Sequence, residues 1–203
     1  MHKVFITGTD TGVGKTFISS LLVKKFNAYY FKPIQTGSRE ELDSKTVQYL
    51  TGLEDKYFLS ATYLFKEPVS PHLAAKIENR EIDIKDIYCP NETPLIVEGA
   101  GGVFVPLNKK FFMLDLMKHL DLPILVVARS TLGTINHTLL TIKALKRKNL
   151  DVLGVILNGP LNQENKIAIE YYGKVKVLAE IPWLEVITPS VLDSLVNEID
   201  IDL

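Results

Sequence analysis

Short apolar runs alternate along the chain with longer stretches in which apolar positions recur every three or four residues. The runs are Val4–Thr7, Ala28–Ile34, Leu95–Glu98, Ile124–Ala128, Val152–Leu157 and Val175–Ile181, and their length and β-branched content predict strands. Several are apolar throughout, the pattern of strands covered on both faces. Between them, Phe17, Leu21, Leu22 and Phe26 fall on one helical face. So do Phe112, Leu116 and Leu120, and also Ile135, Leu139, Ile142 and Leu145. Strand–helix alternation with buried strands predicts an α/β fold, a three-layer, doubly wound, mostly parallel sheet flanked by helices. Gly52–Pro94, broken by Pro68, Pro71 and Pro90, is expected to leave the sheet as an excursion with a short helix near His72–Glu78. No linker, composition break or repeat divides the chain, so residues 1–203 are read as a single domain.

Composition narrows the class. Apolar residues make up 46% and charged residues 23% of the 203, which is ordinary for a globular chain that can bury a full core. A net charge of −1 gives no basic field for nucleic acid. The cluster Lys143, Lys146, Arg147 and Lys148 reads as a helix end meeting the negative pole of its dipole. The one cysteine, Cys89, excludes an internal disulfide framework and suits a reducing compartment. The longest apolar stretch, Leu122–Ala128, is far short of the roughly 20 residues that span a bilayer. Only His2 and Lys3 follow Met1 before the first run, so no signal peptide is expected, and the reading is of a soluble, cytoplasmic protein.

Candidate chemistry begins with GTDTGVGKT, Gly8–Thr16. The usual phosphate-binding loop has a glycine five places before its Gly-Lys-Ser/Thr; counted back from Gly14, that place holds Thr9, and the glycine stands one residue early, at Gly8. Even so, strand, Gly-x-Gly-Lys-Thr and helix are in register. Backbone N–H groups at a helix N-terminus favour an anion, Lys15 adds a charge for the terminal phosphates, and the Thr16 hydroxyl is placed for Mg²⁺. The expected class is a P-loop NTPase. In PLIVEGAGG (Pro94–Gly102) Glu98 closes a buried strand, ahead of a glycine turn; an acid there is costly unless it binds something, where many P-loop proteins carry Asp. Lys32, at the second strand end in FKPIQTGS, can neutralise charge in a transition state. On residues alone, Asp43 is either a further Mg²⁺ ligand or a solvated helical acid.

These elements together resemble the dethiobiotin synthetase family. The resemblance runs through GTDTGVGKT, KPIQTGS (Lys32–Ser38), EPVSPHLAA (Glu67–Ala75), VEGAGGVFVPL (Val97–Leu107), LGTINHTLLT (Leu132–Thr141), ILNG (Ile156–Gly159) and EIPWL (Glu180–Leu184), and the spacing from Gly8 to Gly14 is itself the family's form of the loop. It implies ATP-dependent closure of the ureido ring on 7,8-diaminononanoate with CO₂ or bicarbonate, through a carbamate and a carbamic-phosphoric anhydride. Lys15, Lys32 and Thr11 would be catalytic, and Thr16, Asp43 and Glu98 would hold Mg²⁺. ATP would lie against Gly12, Val13, Gly14, Lys15, Thr16, Phe17, Asp43, Glu98, Gly99, Ala100, Gly101, Asn158, Gly159, Pro182, Trp183 and Leu184. Thr36 would bond the carbamate region, Ser70 would line the diamine pocket, and Gly133, Asn136 and Tyr171 would take the substrate carboxylate across a homodimer interface. His72 and His137 are given no proton-transfer role. The nineteen residues after Leu184 predict few base or ribose contacts from the tail. A ParA/MinD-like switch ATPase is the alternative, and Asp10 stands where its loop carries a signature lysine.

Overall fold

The computed structural model describes residues 2–38 and 42–201. Seven strands form one parallel sheet: β1 (Lys3–Gly8), β2 (Tyr29–Phe31), β4 (Phe58–Leu59), β6 (Leu95–Gly102), β7 (Ile124–Arg129), β8 (Val152–Asn158) and β9 (Val177–Ile181), in the order β4-β2-β6-β1-β7-β8-β9. Side chains alternate across each strand, and the core divides accordingly. Val4, Ile6, Tyr30, Ile96, Leu125, Val127 and Ile156 face α1 (Lys15–Phe26), α2 (Asp43–Thr51) and α7 (Pro189–Glu198). Phe5, Phe31, Leu95, Val97, Val126 and Leu157 face α4 (Met113–Leu120), α5 (Thr134–Arg147) and α6 (Gln163–Gly173). The uninterrupted apolar runs follow from this: both faces of each strand are inside. From β1 the chain moves outward to β2, and from β6 it crosses to β7 on the other side of β1. The change of direction opens a crevice at the carboxyl ends of the central strands.

Four expectations are corrected. The single strand expected over Ala28–Ile34 is two: it breaks at Lys32–Pro33, and β3 (Ile34–Gln35) pairs with β5 (Tyr63–Leu64) in a separate parallel sheet. Proline lacks the N–H needed to continue the first ladder. Gly52–Pro94 is not wholly an excursion, since β4 extends the main sheet beside β2; its helix is α3 (Pro71–Ile77). The glycine turn expected after Glu98 is strand, β6 continuing to Gly102 with a shift of register against β1. Phe112 precedes α4 and is exposed, leaving Leu116 in the core. Two helices, α6 and α7, escaped the periodicity because α6 buries only Ile169 and Gly173, and α7 only Leu192 and Leu195. The basic cluster does end α5: Lys146 Nζ donates to the carbonyls of Gly173 and Lys174, both at 3.0 Å, and Lys148 pairs with Asp115 at 2.9 Å.

Candidate active site

β1 delivers the chain into the loop Thr9–Gly14, and α1 starts at Lys15. Gly8 is required by crowding: a Cβ there would lie 2.8 Å from the Asp10 carbonyl oxygen and from Val13, and 3.0 Å from Lys15 Nζ. The early glycine thus lets a loop one residue longer fold back over the strand end. Gly14 has φ +96°, and a Cβ would collide with Asn158 Nδ2. Asn158 Nδ2 donates to the Val13 carbonyl at 3.0 Å, while Lys15 Nζ donates to the Asp10 carbonyl at 3.1 Å and Arg129 to the Thr11 carbonyl at 3.0 Å. The loop is held from three sides, and α1 begins with neither a side-chain cap nor an acid in its first turn. Its N-terminal N–H groups and dipole favour an anion.

Beside the loop lies a cavity of about 580 Å³ lined by Thr11, Gly12, Gly14, Lys15, Thr16, Lys32, Thr36, Asp43, Ser70, Glu98, Ala100 and Gly101, among others. At its floor four polar side chains converge. Thr16 Oγ1 donates to Asp43 Oδ1 at 2.8 Å or to Glu98 Oε1 at 3.0 Å. Lys32 Nζ bridges the two acids, 2.5 Å from Asp43 Oδ2 and 3.0 Å from Glu98 Oε1. Position explains this: Tyr30 and Lys32 lie two residues apart and face α1, as does Glu98 two residues beyond Ile96.

The charges act on one another. Burial alone would lower the pKa of Lys32, but the carboxylates of Glu98 and Asp43 outweigh it and hold the lysine above its ordinary value. Burial works to raise Asp43, yet the charge and hydrogen bond of Lys32, with Thr16 and Gln35, keep it below the usual aspartate value. Lys15 is lowered, by burial first, against the pull of Glu98, with Lys32 adding to the lowering. Burial, then Glu98, pushes the Tyr30 phenol well up, so it keeps its proton. Among the described residues no three His, Cys, Asp or Glu side chains cluster as a metal cage. Two carboxylates and a hydroxyl instead match the donor set of Mg²⁺, which keeps waters and takes substrate phosphates as further ligands. Lys32 now supplies the positive charge at that point.

The other expected residues divide into three groups. Val13 and Phe17 are buried in the core facing α1, and Gly99 lies where a Cβ would touch the Phe5 ring at 2.8 Å, so these three offer backbone only. Asn158 and Gly159 sit beside Pro182, Trp183 and Leu184, because β8 pairs with β9 and Gly159 N–H donates to the Ile181 carbonyl at 2.9 Å. Trp183 is 73% exposed. Gly133 precedes α5 with φ +95°, Asn136 is exposed on α5, and Tyr171 is exposed on α6 against Tyr172. None of these three lines the main cavity. The His72 ring is 3.1 Å from Ser70 Oγ, and His137 borders a small recess by the loop. Sequence reasoning missed Arg129, Ser19 and Tyr30. Arg129 ends β7 at the level of the loop, and Ser19 and Tyr30 are polar positions inside apolar runs, the only signal they give.

Parallel doubly wound sheet, loop and uncapped helix start define a nucleotide-binding P-loop protein. A family model described as an AAA domain matches residues 2–191. The ATP-dependent dethiobiotin synthetase BioD of Lawsonia intracellularis is 50% identical over 94% of this chain and 92% of its own length. That of Paramagnetospirillum magneticum is 48% identical over 96% and 95%. The chain belongs to the ATP-dependent dethiobiotin synthetase family. Solved structures share the fold at low identity: a chain of the MinC:MinD cell division protein complex of Aquifex aeolicus has TM-score 0.58 and 18% identity, covering 96% of this chain and 89% of that one. The septum site-determining protein MinD of Pyrococcus horikoshii, complexed with Mg-ADP, has TM-score 0.54 and 15% identity over 98% and 95%. No helix among the described residues is long and apolar enough to cross a membrane.

Proposed function

We propose that this protein is a ligase forming carbon–nitrogen bonds, which closes the ureido ring of dethiobiotin from 7,8-diaminononanoate, CO₂ and ATP in biotin biosynthesis. The observation that carries the reading is the convergence of Lys15, Lys32, Thr16, Asp43 and Glu98 on one cavity that also reaches Thr11, Thr36 and Ser70. One amine takes up CO₂ as a carbamate, a carbamate oxygen attacks the γ-phosphorus with loss of ADP, and the second amine attacks the carbonyl carbon and expels phosphate. Negative charge accumulates between carbamate and γ-phosphate. Lys15 and Lys32 line that same cavity, and cations aimed at developing charge stabilise it strongly. The N–H groups of residues 12–17 cradle the phosphates, Thr11 and Thr36 hydrogen-bond the carbamate, and Ser70 borders the diamine. Gly99, Ala100 and Gly101 flank the triphosphate; Asn158, Gly159 and Pro182–Leu184 form the base side.

Thr16, Asp43 and Glu98 would hold Mg²⁺, which would neutralise phosphate charge. With Mg²⁺ on the two acids, the Lys32 charge beside them would be available to the reacting groups. Residues 1–203 act as one domain in the cytoplasm, as a homodimer in which Gly133, Asn136 and Tyr171 receive the substrate carboxylate from the neighbouring subunit's site. The test is phosphate release from MgATP and bicarbonate with and without the diamine. Release that requires the diamine and matches dethiobiotin formed is expected. Release without diamine, stimulated by DNA or lipid vesicles, would sink the reading.

A further inference from the structure

Glu98 is 1% exposed, and its two oxygens have different surroundings. Oε1 faces the cavity floor and meets Thr16 Oγ1 and Lys32 Nζ, each at 3.0 Å. Oε2 points the other way, into the layer between sheet and α1. There Ser19 Oγ donates to it at 2.6 Å and Tyr30 OH at 3.0 Å. Both donors are wholly buried, and neither lines the cavity. Ser19 lies one helical turn after Thr16 and Tyr30 two strand positions before Lys32. The same two elements that carry cavity-floor residues therefore carry, one step deeper, the residues that grip the back of Glu98.

We propose that Ser19 and Tyr30 are positioning residues for Glu98, holding Oε2 so that Oε1 alone is presented to the divalent cation of the bound nucleotide. The inference rests on the metal role given to Glu98 above. Two donors fill the two lone pairs of Oε2 and fix the plane of the carboxylate. A glutamate has one more rotatable bond than an aspartate in the same place, and each such bond costs entropy to freeze on binding. Here it is frozen beforehand by neutral groups. The neutrality matters, because two further cations would draw charge from Oε1. Ser19 and Tyr30 also keep the buried acid hydrogen-bonded whether Oε1 meets Lys32 or the cation.

The experiment titrates Mn²⁺ into the protein–ATP complex by electron paramagnetic resonance, for Ser19→Ala, Tyr30→Phe, the double variant and Glu98→Gln. Melting of the ligand-free proteins is measured alongside. Loss of a partner behind a metal ligand typically weakens metal binding by about 10–100-fold. Each single variant is expected to raise the Mn²⁺ dissociation constant by about tenfold, with the kcat at saturating metal changed less than the metal requirement. Wild-type Mn²⁺ affinity in both single variants, with affinity lost in Glu98→Gln, overturns the inference. Wild-type affinity in Glu98→Gln overturns the metal reading beneath it, so the two failures are distinct. Should Tyr30→Phe not fold, Ser19→Ala, which removes one oxygen atom, decides between the outcomes alone.

Discussion

The cavity floor and the exposed positions on α5 and α6 contain residues that the family resemblance assigns to one reaction, yet they differ in kind. On the floor, the bridging lysine and its acids are already paired within the chain: Lys32 with Asp43 and Glu98, and Glu98 with Ser19, Tyr30 and Thr16. On α5 and α6, Gly133, Asn136 and Tyr171 are exposed and share no cavity with the floor. The first region has the preorganisation that charge-stabilising chemistry requires. The second has no such pairing: Gly133 and Asn136 stand at the start of α5, and Tyr171 near the end of α6 meets only Tyr172 and Lys174.

The sharpest break of that contrast is Lys32→Ala. It should lower turnover by about 10²–10³-fold, the scale of losing one preorganised charge-stabilising group, while ATP affinity by calorimetry changes little. Equal loss of both would assign Lys32 to nucleotide binding. Next comes Gly14→Ala, where a left-handed backbone and a Cβ against Asn158 coincide. Strain of about 1–3 kcal/mol should appear in chemical denaturation, with weaker ATP binding; unchanged binding would mean that Asn158 moves aside freely. Tyr171→Ala is smaller, an expected rise in KM for the diamine of about tenfold, or about 1.4 kcal/mol, at little cost to kcat. At diamine concentrations well below KM, mixing Tyr171→Ala with Lys32→Ala subunits should raise activity to about a quarter of wild type, because a two-fold dimer of one each keeps one intact site. No recovery would place both residues in the same chain's site.

The smallest effect is on pH. Asp43 has a folded pKa below its unfolded one, so its pairing contributes stability above the unfolded value of about 3.9 and loses it as pH falls through the depressed folded value. Lys32, raised, contributes below about 10.4 and loses that contribution as pH rises through its folded value. The ligand-free protein should therefore lose stability in acid below about pH 4, and Lys32→Ala should flatten that limb. An unchanged limb in urea unfolding would show that other acids dominate it.

Much of this was legible in the sequence because the physics was local. A buried strand followed by Gly-Val-Gly-Lys-Thr and a helix marks the loop, and Glu98 stands out as an acid after three apolar residues, although β6 continues past it to Gly102. Asp43 stayed open on residues alone. Only the fold, by bringing the start of α2 against Lys32 and Thr16, makes it a member of the cluster. Pro33 signalled the break after Lys32, but the pairing of β3 with β5 beyond it was a long-range contact that no short-range pattern reveals. Ser19 and Tyr30 were hidden because a serine in a helix and a tyrosine in a strand are ordinary until the long-range contact with Glu98 is known. The shape of the loop was visible in Thr9 standing where a glycine is usual. Its reason, the crowding around Gly8, was not.

The route of oxygen tests the ring-closing chemistry most directly. In a single turnover with ¹⁸O-labelled CO₂, diamine and MgATP, the oxygen through which the carbamate attacks phosphorus leaves with the phosphate. One labelled oxygen in each phosphate released is the predicted result. Phosphate that instead takes its new oxygen from water would contradict ring closure through an anhydride, because the triphosphate would then be undergoing simple hydrolysis.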